Sequence, residues 1–80
     1  MTESKTYTVT ATGKNKLEIL NRITSLYLQR HIKAESVQLE SLKDGKASYK
    51  VVAVTNLETI ETIVHQIENI VGIESTKYSC

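Results

Sequence analysis

The side chains of this 80-residue chain that could do covalent or metal chemistry are few and scattered. His31 and His65 fall on what the hydrophobic spacing makes two different helices, with no cysteine or close carboxylate pair to complete a metal site or a triad. His31 reads as a helix C-terminal residue and His65, between Val64 and Gln66, as a solvated one. Ser36 lies beside Glu35 but has no base within reach along the sequence, so nothing activates it as a nucleophile. Cys80, the single cysteine, cannot form an internal disulfide and reads as an exposed thiol. No constellation calls for a metal or a cofactor, and the chain is expected not to be an enzyme on its own. The feature that invites a ligand is a loop. Thr12, Gly13, Lys14 and Asn15 join an alternating segment to an amphipathic one, and a loop facing the first turn of a helix is a natural site for a small anion.

The elements that would position this loop follow from hydrophobic period. Residues 5–12 place Tyr7, Val9 and Ala11 on one face and four threonines on the other, the period of a strand with one buried side. In residues 16–31, Ile19, Leu20, Ile23, Leu26 and Tyr27 recur at helical spacing. Asn15 with Glu18 has the form of a capping box, and Arg30 with His31 is expected to close the last turn with charge that suits the helix dipole. Residues 33–42 form a second strand whose apolar phase slips between Ala34 and Val37, which predicts a bulge or an irregular entry. Asp44 and Gly45 predict a two-residue hairpin turn. The third strand, residues 46–54, ends apolar on both faces, as a central or partner-covered strand does. Thr55 or Asn56 caps a second helix carrying Ile60, Ile63, Val64, Ile67, Ile70 and Val71 and ending before Gly72. Residues 73–78 supply a short last strand.

The order βαββαβ predicts an α+β, ferredoxin-like split fold: a four-stranded antiparallel sheet in the order 4-1-3-2 with both helices on one face, formed by residues 1–80 as one domain. Topology alone leaves function open. An RNA-recognition domain would display stacking aromatics on its central strands, whereas Tyr7 and Tyr49 alternate onto the apolar, helix-packed side. A metal chaperone would carry paired cysteines after the first strand, and an acylphosphatase-like enzyme an arginine; the loop has Lys14 and no cysteine. Ten basic and nine acidic residues leave a formal charge of +1 and no basic face for nucleic acid. No long apolar run or basic leader points to a membrane or to export, so a cytoplasmic location is expected. A chain this short buries only about two thirds of its unfolded surface, which makes self-association a route to stability.

Residues 15–37 carry a resemblance. Asn15, Leu20, Arg22, Ile23, Leu26, Tyr27, Arg30, Ile32, Glu35 and Ser36, with Val37 in place of a leucine, resemble the ACT domain of the small regulatory subunit of acetohydroxyacid (acetolactate) synthase. The resemblance implies a non-catalytic regulator that pairs with a second copy through its sheet and binds a catalytic large subunit, itself thiamine-diphosphate dependent, in branched-chain amino-acid synthesis. It also implies an effector set at Asn15, Leu17, Glu18, Ile19, Lys33 and Ala34. Several of these depart from the family pattern: Glu18 stands where a glycine is usual, Lys33 where an asparagine binds the effector, Ala34 where an isoleucine follows, and His31 where a glycine ends the helix. Weak or absent valine binding is therefore expected, with Glu18 and Lys33 able to pair across a dimer interface. The alternative that the same resemblance allows is a freestanding ACT domain that senses another small amino-acid-like ligand or regulates a different enzyme.

Overall fold

The alternation of Tyr7, Val9 and Ala11 with threonines produces the longest strand register of the molecule. A computed structural model describes residues 4–80. Its elements are β1 (Lys5–Lys14), α1 (Leu17–Gln29), β2 (Ala34–Ser41), a single 3₁₀ turn (Lys43–Gly45), β3 (Lys46–Thr55), α2 (Leu57–Glu68) and β4 (Ile73–Ser79). All strand pairs are antiparallel, in the order β2-β3-β1-β4, which is the expected 4-1-3-2 sheet read from the other edge. β1 and β3 are central and pair from Lys5 opposite Thr55 to Lys14 opposite Lys46. The fold is the βαββαβ ferredoxin-like arrangement.

Tyr7, Val9 and Ala11 of β1 and Ala47, Tyr49, Val51 and Ala53 of β3 are buried, against Ile19, Ile23 and Tyr27 of α1 and Ile60, Ile63, Val64 and Ile67 of α2. Each fully buried isoleucine contributes roughly 1.5–3 kcal/mol relative to exposure, so the two helix stripes hold the layers together. Both helices lie on this face. Thr8, Thr10, Thr12 and Val52 point to the other face and are half-buried at most.

Local chemistry shifted several boundaries. The bulge in β2 is present, between Ala34 and Ser36. The hairpin connection has three residues rather than two: Leu42 N donates to the Lys46 carbonyl at 2.9 Å, while Asp44 (φ 61°) and Gly45 (φ 70°) take the positive φ expected of them. α1 starts at Leu17 with Lys16 at its N-cap and no side-chain cap, so the Asn15–Glu18 capping box does not form. No basic residue occupies its last turn; Arg30 is the C-cap, and its Nη2 donates to Gln66 Oε1 at 3.3 Å. His31 (φ 57°) follows in the left-handed region, and His31 N and Ile32 N donate to Leu28 and Tyr27 carbonyls, both at 3.0 Å, which is a Schellman termination built on a non-glycine residue. In α2, Asn56 is the cap, its Oδ1 accepting from Thr59 N at 2.8 Å. α2 ends at Glu68, before the expected boundary, and Val71 is 92 % exposed rather than part of the apolar stripe.

Candidate functional site

Three elements converge on the loop after β1, and they meet because Gly13 lacks a side chain. A Cβ on Gly13 would stand 2.1 Å from the Gly72 carbonyl oxygen, so only glycine lets the α2–β4 turn close over the end of β1. Lys14 N then donates to Gly72 O and Asn15 N to Gly45 O, each at 2.9 Å. Lys16 N donates to the Tyr49 hydroxyl at 3.0 Å, and that hydroxyl donates to the Lys14 carbonyl, with the Lys16 carbonyl 3.2 Å away. The amides of Lys14, Asn15 and Lys16 are thus taken by the chain's own groups. Tyr49 is the residue that sequence reading left out of the site. Its signal was a tyrosine on an otherwise aliphatic inward face, because a buried phenol needs a partner for its hydroxyl.

Of the six residues expected to hold an effector, four gather at this end of the molecule. Asn15 donates from Nδ2 to Ser41 Oγ at 2.9 Å, tying the loop to the end of β2 instead of capping α1. Leu17 is 76 % exposed, and Ile19 is a core residue, 3 % exposed. Glu18 is exposed in a shallow hollow of about 210 Å³ shared with Lys16, Ile19, Arg22 and Val71. Lys33 and Ala34 are exposed at the start of β2, beyond the far end of α1. The 13 residues of α1 span about 20 Å at 1.5 Å per residue. Within one chain, therefore, Lys33 and Ala34 do not join Asn15 and Glu18; only another molecule could bring the two halves together.

A second concavity was not legible in the sequence. It is a groove of about 300 Å³ between α1 and β2, floored by Tyr27, Ile32 and Val51 and flanked by Leu28 and Val37. Tyr27 is 3 % exposed, and its hydroxyl has no hydrogen-bond partner. Burial pushes its phenol up to about 12. Leu17, Asn21, Thr24 and Leu28 lie near one line along α1 at 100° per residue, so this flank runs the length of the helix beside the edge strand β2. Leu28 (74 %) and Val37 (42 %) expose much of their apolar surface on it.

Elsewhere the remaining candidates stay apart. Among the described residues no group of histidine, cysteine or acidic side chains could hold a metal ion. His65 pairs loosely with Glu68 at 3.9 Å on the surface of α2, and Cys80 is a free, exposed thiol. Lys46 and Glu74 form an ion pair between the first residue of β3 and the start of β4. Among the described residues no helix is long and apolar enough to cross a membrane.

The chain matches no family model and no curated protein. Solved structures resemble it over nearly its whole length. It is similar to the ACT domain of GTP pyrophosphokinase from Chlorobium tepidum, with a TM-score of 0.77 at 17 % identity over 96 % of this chain and 100 % of that one. It has the ACT fold. The acetolactate synthase small subunit of Thermotoga maritima is similar at a TM-score of 0.75 and 20 % identity, over 92 % of this chain and 47 % of the other, so this ACT fold spans about half the length of that subunit. The C-terminal domain of the MgtC protein from Mycobacterium tuberculosis also resembles it, with a TM-score of 0.80 at 11 % identity over 92 % of this chain and 84 % of that one. At these identities the likeness is one of fold.

Proposed function

We propose that this chain is a non-catalytic regulatory module of the acetohydroxyacid synthase small-subunit type, one ACT domain over residues 1–80, working in the cytoplasm by binding a second copy of itself and a catalytic large subunit. The observation that carries the reading is the coincidence of two independent likenesses. The run of matched residues from Asn15 to Val37 resembles that family, and the fold built around it resembles the acetolactate synthase small subunit. Pairing between copies is supported by the edge strand β2, whose outer backbone groups have no neighbour in the sheet order, and by the exposed Leu17, Leu28, Val37 and Leu42 beside it. An antiparallel β2–β2 pairing would set Lys33 and Ala34 of one copy near Asn15 and Glu18 of the other, completing the divided effector set.

The same set argues against valine as its ligand. The amides of Lys14, Asn15 and Lys16 are already taken, and Glu18 puts a carboxylate in the first turn, where an incoming anion would otherwise be favoured. These features favour the second reading to the extent that an ACT domain with an altered loop answers to another effector or another enzyme. Mixing the purified chain with an acetohydroxyacid synthase large subunit and measuring acetolactate production tests the first reading. A changed rate or cofactor affinity supports it, and no change over a wide subunit ratio rejects it. Sedimentation at micromolar concentration tests the pairing, for which a 9.0 kDa monomer would be the contrary result.

A further inference from the structure

Between the two helices lies a hollow of about 220 Å³, lined by Arg22, Ser25, Leu26 and Gln29 of α1, Gln66 of α2 and Ile70 just beyond it. Its floor is Leu26 and Ile70, which pack partly buried against the core. Its polar lining offers donors. The Arg22 guanidinium and the Gln29 amide have no ion pair or hydrogen bond with any other described residue. Gln66 accepts through Oε1 from Arg30 Nη2 at 3.3 Å, which leaves its own N–H groups to the hollow. No aspartate or glutamate lines the space. Two acids of α2 are engaged elsewhere, Glu61 with the Tyr78 hydroxyl at 3.2 Å and Glu68 beside His65 at 3.9 Å. Glu18, four residues before Arg22, lines the neighbouring hollow and forms no ion pair with it.

We propose that this hollow binds a small monocarboxylate with a short aliphatic tail and no ammonium group. The carboxylate sits on the Arg22 guanidinium and the amides of Gln29 and Gln66, and the tail lies on Leu26 and Ile70. The charge follows from Arg22, whose planar fork matches a carboxylate through two parallel hydrogen bonds. One lining cation suits one negative charge. The exclusion of an ammonium follows from the same lining, where an amino acid's cation would meet a guanidinium and no counter-charge. The short tail follows from a floor of two side chains and a volume below the usual ~300–1,000 Å³ of ligand pockets. None of Asn15, Leu17, Glu18, Ile19, Lys33 and Ala34 lines the site, so it is separate from the expected effector set in position as well as in ligand class. At 100° per residue, Arg22, Leu26 and Gln29 occupy the flank of α1 turned from Thr24 and Leu28 and so from β2, and pairing through that edge strand would leave the hollow open.

The probe is 3-methylbutanoate, with 3-methylbutanamide as its neutral counterpart, acetate as the tail-less one, and valine, which adds an ammonium to the same skeleton. Titrations of the full chain at fixed ionic strength, followed by amide chemical shifts, should give saturable binding of 3-methylbutanoate with shifts clustered at Ser25, Leu26, Gln29 and Ile70. The site is open to water, so the affinity expected is in the millimolar range. Acetate, 3-methylbutanamide and valine should each bind more weakly. Arg22→Gln, at an exposed helix position where folding is safe, should weaken 3-methylbutanoate about tenfold, the equivalent of one charge-assisted hydrogen bond, and leave the amide probe unchanged. Arg22→Lys, which keeps the charge and loses the fork, should fall between the two. Equal affinity of 3-methylbutanoate for Arg22→Gln would overturn the proposal. So would valine or the amide binding as well as the carboxylate, shifts that never saturate, or shifts clustered at Lys14 to Glu18 instead. None of these results depends on whether a synthase subunit responds to the chain.

Discussion

The hydroxyl of Tyr49, on the central strand β3, donates to the carbonyl of Lys14 and accepts from the amide of Lys16, so one core side chain holds both sides of the β1–α1 loop. The loop that precedes α1 is thereby organised from beneath, and the N-terminus of the helix needs no side-chain cap to hold its position. Tyr49→Phe keeps the ring but strands a carbonyl and an amide. It should cost about 1–3 kcal/mol in chemical denaturation and speed hydrogen exchange at Lys16. Unchanged stability together with unchanged exchange would show that the phenol is not the tie.

Gly13 and Gly72 form the second tie. Gly13→Ala would drive a methyl group into the Gly72 carbonyl, which is backbone and cannot move aside without breaking the bond from Lys14 N to Gly72 O. A loss of about 2–3 kcal/mol is expected, as for other overpacked sites, with the pairing of Gly13 to Ile73 disturbed first. Thermal unfolding and the amide shifts of β4 report both.

His31 holds a left-handed backbone at φ 57° for a Schellman termination that glycine adopts without strain. Relief of about 1–2 kcal/mol of strain, less the greater unfolded-state freedom of glycine, leaves His31→Gly more stable by roughly 0.5–1 kcal/mol. For a domain of this size that raises the melting temperature by roughly 2–8 °C in calorimetry.

Tyr27 makes stability fall in alkali. Its phenol ionises near 10.0 in the unfolded chain and at about 12 in the fold, so the protonated form is the one the fold favours. Stability is complete below pH 10 and declines as pH rises through about 12, by roughly 2–3 kcal/mol at most for this one group. Comparing the pH dependence of denaturation with that of Tyr27→Phe isolates the effect. The variant should be flatter over this window and, at neutral pH, as stable as the parent or more stable by about 1–2 kcal/mol, because it lacks an unpaired buried hydroxyl.

The proposed effector set, shared between two copies of the proposed dimer, predicts a concentration dependence. Glu18 and Lys33 lie at opposite ends of α1 in one chain, so Glu18→Gly with Lys33→Asn should create valine binding only at concentrations where the chain pairs. Calorimetry across the dimerisation range measures this, and micromolar valine affinity of the unsubstituted chain would contradict it.

The strands, helices and sheet order were legible in the sequence because hydrophobic period is a local signal. Tyr7, Val9 and Ala11 alternate, Ile60, Ile63, Val64 and Ile67 recur at helical spacing, and the length of each crossover leaves few topologies. Even the slip at the start of β2 was written into the phase change from Ala34 to Val37. What local pattern could not determine was where polar groups find their partners. Asn15 has the form of a helix cap, yet its amide bonds to Ser41, 26 residues away, because the fold brings the end of β2 beside the loop. The amide of Lys16 belongs to Tyr49, 33 residues on, and Gly13 is needed for a carbonyl at Gly72. The unpaired hydroxyl of Tyr27 is likewise a property of the assembled layers: its spacing marks it as core, and only the packing of α1 over β2 decides that no partner reaches it. Backbone period is set by residues three or four apart, whereas hydrogen-bond satisfaction is set by whatever tertiary structure brings within 3 Å or so, and that is decided by the chain as a whole.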